Sequence, residues 1–243
     1  TSTGDYNITM GYRALMTGHT SSRNIALGHT AMYAIGNGGN NHAIGYEAMY
    51  GHASSGAGQY NIANGYRALY QVGVGSYNVA IGHNAGYQQL SGSSNTLVGY
   101  SAGHWATGSN NTFIGYEAGK GGTTSAPYNS GQSNTAVGLR AFDSFTTGNQ
   151  NVAVGEGSLG AVNTGNYNVA VGNYAGGNLT SANENVAIGL SALNNATTTL
   201  STTVVGFQAG YSINSTDANR TTLVGYTAGR SLTSGQGNVA IGS

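Results

Sequence analysis

The chain has no cysteine, a single proline (Pro127), a single lysine (Lys120) and very little charge: seven basic and seven acidic residues among 243. Each shortage excludes something. Without cysteine there is no disulfide-stapled scaffold, although this does not fix the compartment. A formal net charge of zero leaves no basic stripe for nucleic acid and no electrostatic grip on an acidic membrane. No run of about 20 apolar residues exists to form a membrane-spanning helix. What is abundant is glycine, 42 residues, with serine, threonine and asparagine. Such a mixture can be disordered, but disordered chains lack regularly placed valine and isoleucine. Here the apolar residues keep phase from end to end.

The phase is set by a five-residue phrase, N-x-A-[V/I]-G. It reads Asn78-Val79-Ala80-Ile81-Gly82, Asn151-Val152-Ala153-Val154-Gly155, Asn168-Val169-Ala170-Val171-Gly172 and Asn185-Val186-Ala187-Ile188-Gly189. Its glycine recurs fourteen times, from Gly11 to Gly242, and nine of the thirteen intervals are 17 residues. A fixed short period marks each unit as one coil of a solenoid rather than a separate domain. The expected fold is therefore all-β: a parallel β-solenoid, or β-roll, of about fourteen 17-residue coils, drawn out as an elongated rod. At roughly 4.8 Å per coil it reaches about 65–70 Å. Residues 1–243 form a single continuous repeat domain. It starts at Thr1 without methionine and stops in mid-coil, so it is read as a fragment of a longer chain. Three long intervals, of 20, 23 and 19 residues, predict outward loops near 51–58, 120–131 and 212–218.

With the asparagine as position one, position two is Ile, Val or Thr except at His42, and position four is Met, Leu, Ile or Val except at Asn64. Position three is mostly Ala. Positions two and four share one face of a strand and position three takes the other, so each coil carries a short strand with one bulky and one small face. One of these faces is the inside of the coil, and the other can meet a partner chain. The glycine at position five, as at Gly82, Gly155, Gly172 and Gly189, implies a positive φ or a corner where a Cβ would strike the next coil. Position eight is Ala in twelve of thirteen copies, among them Ala85, Ala175 and Ala192, as expected where only a methyl fits. Position nine alternates between Leu, Met or Phe and Gly, and is read as a second short strand or a bend. Where position two is Thr, position three often grows: Leu97, Phe113, Val204 and Leu223.

The phrase resembles two related groups of repeats. One is the head of trimeric autotransporter adhesins, with N-x-V-A-I-G coils. The other, closer, is the tail-fibre-like repeat of phage and environmental bacterial proteins, which reads N-T-A-x-G-Y-x-A-L. Asn61-Ile62-Ala63-Asn64-Gly65-Tyr66-Arg67-Ala68-Leu69 and Asn134-Thr135-Ala136-Val137-Gly138-Leu139-Arg140-Ala141-Phe142 carry that likeness. The resemblance implies a parallel β-roll in a three-chain bundle. It departs from the adhesin heads in its longer period, and it is specific for architecture and poor for function.

Position six supplies the candidate contact residues: Tyr12, Tyr46, Tyr66, Tyr100, Tyr116 and Tyr226, with His29, His83 and Phe207 in the same column. Exposed rings can stack on sugars or adhere to surfaces, and they can equally form a ladder that ties successive coils together. The position-one asparagines suit an internal amide ladder, with Thr202 and Thr221 as hydroxyl substitutes. The six histidines (19, 29, 42, 52, 83 and 104) do not recur at matched positions in adjacent coils, so no metal site is expected. Glu47 and Glu117 share position seven four coils apart, too far for a paired-carboxylate site. The run Gly119-Lys120-Gly121-Gly122-Thr123-Thr124 lacks the spacing and following helix of a phosphate loop.

The expected function is that of a non-enzymatic extracellular fibrous protein without a cofactor, located outside the cell, at a cell surface or on a virion. It is a shaft or head for surface or host attachment, with itself as principal partner (a homotrimer favoured, or an end-to-end filament) and a cell-surface glycan or receptor as a further one. A self-assembling filament subunit and a carbohydrate- or ice-binding solenoid are the alternatives.

Overall fold

The computed structural model describes residues 4–17, 20–51, 58–89, 91–122, 129–214 and 218–243. The expected outward loops include 52–57, 123–128 and 215–217, with Pro127 among them, which lie outside the described residues. The chain divides into two compact units, Thr1–Glu117 with Thr124–Ser130, and Ala118–Thr123 with Gly131–Ser243.

Both units are all-β and both are parallel β-solenoids. The first holds β1 (Ile8–Met10), β2 (Ile25–Leu27), β3 (His42–Ile44), β4 (Ile62–Asn64), β5 (Val79–Ile81), β6 (Thr96–Val98) and β7 (Thr112–Ile114). The second holds β8 (Thr135–Val137), β9 (Val152–Val154), β10 (Val169–Val171), β11 (Val186–Ile188), β12 (Thr203–Val205), β13 (Thr222–Val224) and β14 (Val239–Ile241). Within each unit every strand pairs in parallel with the strand of the next coil. Register is by repeat position: Val79 lies against Thr96 and Ile81 against Val98, and Val169 lies against Val186 and Val171 against Ile188. The frame survives irregular intervals. His42 still faces Ile62 across a 20-residue interval, and Thr96 still faces Thr112 across a 16-residue one.

The strand is three residues long because position five ends it. Gly82 has φ +133°, and the equivalent glycines repeat that conformation. Of the two readings the sequence leaves open for position nine, a second short strand or a bend, the structure has the bend. Positions seven and nine are both left-handed, as at Arg67 (φ 52°) and Leu69 (φ 49°). The residue before the asparagine is left-handed too, as at Tyr77 (φ 61°). Such conformations are costly for L-residues. What holds them is hydrogen bonding to the coils on either side: Arg67 N–H donates to Tyr46 O at 2.9 Å, and Leu69 N–H to Ala85 O at 2.9 Å. The turns are therefore laddered as the strands are, and a lone coil has nothing to offset its own strain.

The core is a thin column. Position three (Ala80, Leu97, Ala170) and position eight (Ala85, Ala175, Ala192) are fully buried. Position nine, where it is bulky, is buried as well, as at Met32, Leu69, Phe142 and Leu193. These positions exchange volume. Where position three is large, as at Leu97 or Leu223, position nine is glycine, and a Cβ on Gly103 would come within 2.7 Å of Leu97 Cδ2. The sequence pairs this growth with threonine at position two, whereas the space itself is shared with position nine. Leu97→Ala should thus open a cavity and cost about 2–4 kcal/mol. Adding Gly103→Leu should return part of that loss, since the coils of Leu69 and Leu159 already combine Ala at three with Leu at nine. Urea midpoints of the single and double variants check this; a double variant weaker than Leu97→Ala alone overturns the exchange.

Candidate interaction surface

The strand orientation decides which face is available. Position three is buried in every interior coil, while positions two and four point outward. Ile44 is 43% exposed, Ile81 42% and Ile188 38%. The bulky branched face is the outer one and the alanine face the inner one. The two polar exceptions, His42 and Asn64, are both exposed. Each unit thus presents two parallel columns of Val, Ile and Thr on the outside of its sheet, one residue of each column per coil.

An aromatic column runs beside them at position six. In the first unit seven consecutive coils stack their rings face to face: Tyr12, His29, Tyr46, Tyr66, His83, Tyr100 and Tyr116, with centroids 4.7–5.3 Å apart. In the second unit Phe207 stacks on Tyr226 at 5.3 Å. All six tyrosines expected as surface contacts are exposed members of these stacks. Interior rings cover one another's faces and offer solvent their edges and hydroxyls. Tyr60 and Tyr77 form a further pair at 5.1 Å, on the residue that precedes the asparagine.

A second column, which the sequence analysis did not single out, occupies position ten. Tyr33, Tyr50, Tyr70 and Tyr87 stack in turn, and His104 closes the series at 4.9 Å from Tyr87. Its signal was present in the spacing, 17, 20 and 17 residues, identical to that of the glycines. Arg67 ties the two columns. Its guanidinium lies 5.1 Å from the Tyr66 centroid and 5.2 Å from that of Tyr70, and Nε donates to Glu47 Oε2 at 2.6 Å. Burial lifts the Tyr70 phenol above its ordinary pKa, and the Glu47 carboxylate adds to this. For Tyr46 the nearby Glu47 charge is the main cause of a similar rise.

The other repeat residues are structural. Asn78 is fully buried; its Oδ1 accepts from Asn95 N–H and Nδ2–H, both at 3.0 Å, and its own Nδ2 donates to Gly92 O at 2.8 Å. Gly82, Gly155, Gly172 and Gly189 keep φ between +123° and +133°. Among the described residues no three His, Cys, Asp or Glu side chains gather into a metal-binding group, and no helix is long and apolar enough to cross a membrane. A shallow hollow of about 330 Å³ in the second unit is lined by Glu184, Ser201, Asn219 and Arg220, with Ser201 Oγ donating to Glu184 Oε2 at 2.9 Å. No protein-family model, curated protein or solved structure matches the chain. What this surface does must follow from its own geometry.

Proposed function

We propose that this chain is a non-enzymatic structural protein, a β-solenoid shaft or head outside the cell or on a virion, that assembles with copies of itself through the outer face of its strands. The observation that carries this reading is the outward column of branched apolar side chains at positions two and four. Water-exposed apolar surface that continues coil after coil marks an interaction site. Its periodicity narrows the partner. A column with one side chain per coil is filled rung by rung only by a surface of the same rise, and a second copy has that rise. Charge plays little part, because the chain carries so few charged residues; burial of methyl groups, about 25 cal/mol per Å², supplies the attraction.

Three chains around one axis is the arrangement that the likeness to adhesin heads and tail-fibre repeats implies, and attachment to a glycan or receptor at a host or neighbouring surface is the role it suggests. Light scattering after size exclusion tests the assembly. The expected mass is about three times the 24.5 kDa of one chain, and a stable, compact monomer overturns the proposal. Particles that lengthen with concentration in electron micrographs would instead support end-to-end addition. Ile81→Asp combined with Ile114→Asp should shift the mass toward 24.5 kDa and leave the far-ultraviolet dichroism unchanged, because both side chains lie outside the coil's own core. An assembly untouched by both charges would place the interface elsewhere.

A further inference from the structure

We propose that the tyrosine column at position ten is a site of oxidative cross-linking, where neighbouring coils become joined by carbon–carbon bonds between phenol rings. Tyr33, Tyr50, Tyr70 and Tyr87 lie in four consecutive coils, half-buried, with centroids 4.9, 5.1 and 4.9 Å apart and ring planes within 20° of one another. No other side chain interrupts the series. In the position-six column histidines do, and they leave only Tyr46–Tyr66 and Tyr100–Tyr116 as adjacent phenols.

The chemistry needs a one-electron oxidant, and a haem peroxidase with hydrogen peroxide is one such class. Each of two tyrosines gives up one electron and its phenolic proton, and becomes a phenoxyl radical. The unpaired electron has density on the ring carbons ortho to oxygen, so the two radicals combine there and one C–C bond forms. The two hydrogens on those carbons then move to the oxygens and restore both phenols. In all, two electrons and two protons are lost. One hydrogen peroxide accepts them and becomes two waters.

The column contributes proximity. A phenoxyl free in solution must find its partner by diffusion, whereas here the partner ring is in contact before the radical forms, which makes the coupling effectively unimolecular. The outer edges of the half-buried rings remain open to solvent, which lets a ring swing toward its neighbour. Each bond would close a loop of 17 or 20 residues, from Tyr33 to Tyr50, Tyr50 to Tyr70 and Tyr70 to Tyr87. Such a staple constrains the unfolded chain as a disulfide does, in a sequence that has no cysteine.

The test treats the full chain with a haem peroxidase and hydrogen peroxide and then maps cross-linked peptides by mass. The expected products join 33 to 50, 50 to 70 and 70 to 87 within one chain, each two hydrogens lighter than the sum of its peptides. Tyr50→Phe keeps the ring stack but removes the phenol. It should abolish both links at position 50 and spare the link from 70 to 87, while Tyr167→Phe, outside any stack, should change none. Treatment in urea should scatter the links over other tyrosines. The proposal is overturned if dityrosine does not form, if it joins separate chains only, if it falls on unstacked tyrosines such as Tyr167 and Tyr211, or if Tyr50→Phe leaves the pattern as it was.

Discussion

Gly82→Ala is expected to be among the most damaging single substitutions in the chain, with a loss on the order of 3–5 kcal/mol in the unit that holds β1–β7. Two effects coincide there. At φ +133° an L-residue is strained even without neighbours. A Cβ would also lie 2.4 Å from the carbonyl oxygen of Gly99 and 2.8 Å from its carbonyl carbon. Both atoms are backbone of the next coil, and neither can move aside without opening the ladder, where Gly99 N–H donates to Ile81 O at 2.8 Å.

Comparison with other glycines separates strain from crowding. Gly86 occupies position nine at φ +59°, where Leu69 and Met32 sit at almost the same angle, so a side chain is conformationally acceptable. Its Cβ would crowd the ends of Leu97 and Leu69, at 2.7 and 2.9 Å, and would rest at an ordinary 3.8 Å from Ala80 Cβ. Gly86→Ala should therefore cost about 1–2 kcal/mol. Gly237 has open space around it, so Gly237→Ala should cost about 1 kcal/mol or less. Urea unfolding of the three variants gives the order. If Gly82→Ala lost no more than Gly86→Ala, the close approach of successive coils at position five would be wrong.

Why the sequence revealed so much of this fold is a matter of repetition. One buried alanine carries little information. An alanine at position eight in nearly every coil identifies a column of fixed, small volume, and Ala85, Ala175 and Ala192 are all fully buried in it. Register followed for the same reason: when each coil stacks on an equal, equal positions meet, and Val79 pairs with Thr96 as the frame requires. The turns were harder. Leucine and methionine at position nine left a short strand and a bend both open, and Leu69 and Met32 are left-handed, because cross-coil hydrogen bonds outweigh the local preference.

The inward face was legible in one overlooked pattern. Polar exceptions occur at positions two and four, as His42 and Asn64, whereas position three is polar only at Thr9, in the exposed first coil. A lone histidine on an inward face would lose its water; on the outward face it does not. The position-six tyrosines were visible as a column, but only ring geometry distinguishes a stack from separate platforms. That geometry limits sugar stacking, since the faces of Tyr46, Tyr66 and Tyr100 are each occupied by a ring on either side.

The asparagine ladder offers the second large effect. Asn78→Ala should lose about 3–5 kcal/mol, from two orphaned backbone groups at about 1–3 kcal/mol each and the lost volume. The Gly92 carbonyl loses the donor at 2.8 Å, and Asn95 N–H loses the acceptor at 3.0 Å, in a place that water does not reach. Asn166 provides the comparison. Its Oδ1 likewise accepts Asn149 N–H, at 2.8 Å, but that second ladder is only partly buried. Water can replace the lost partner there, so Asn166→Ala should cost about 1 kcal/mol. Asn78 and Asn95 share their hydrogen bonds, so the double alanine variant should lose less than the sum of the two singles.

The chain also contains its own intermediate case. Thr202 N–H donates to Asn185 Oδ1 at 3.1 Å and so continues the ladder, but among the described residues the buried Thr221 hydroxyl has no hydrogen-bond partner. Asn78→Thr should accordingly fall between wild type and Asn78→Ala, while Thr221→Asn should raise stability if its amide finds a coil to bond. Urea titrations of these variants decide the matter. Equal losses for Asn78→Ala and Asn166→Ala would mean that burial does not set the strength of the ladder.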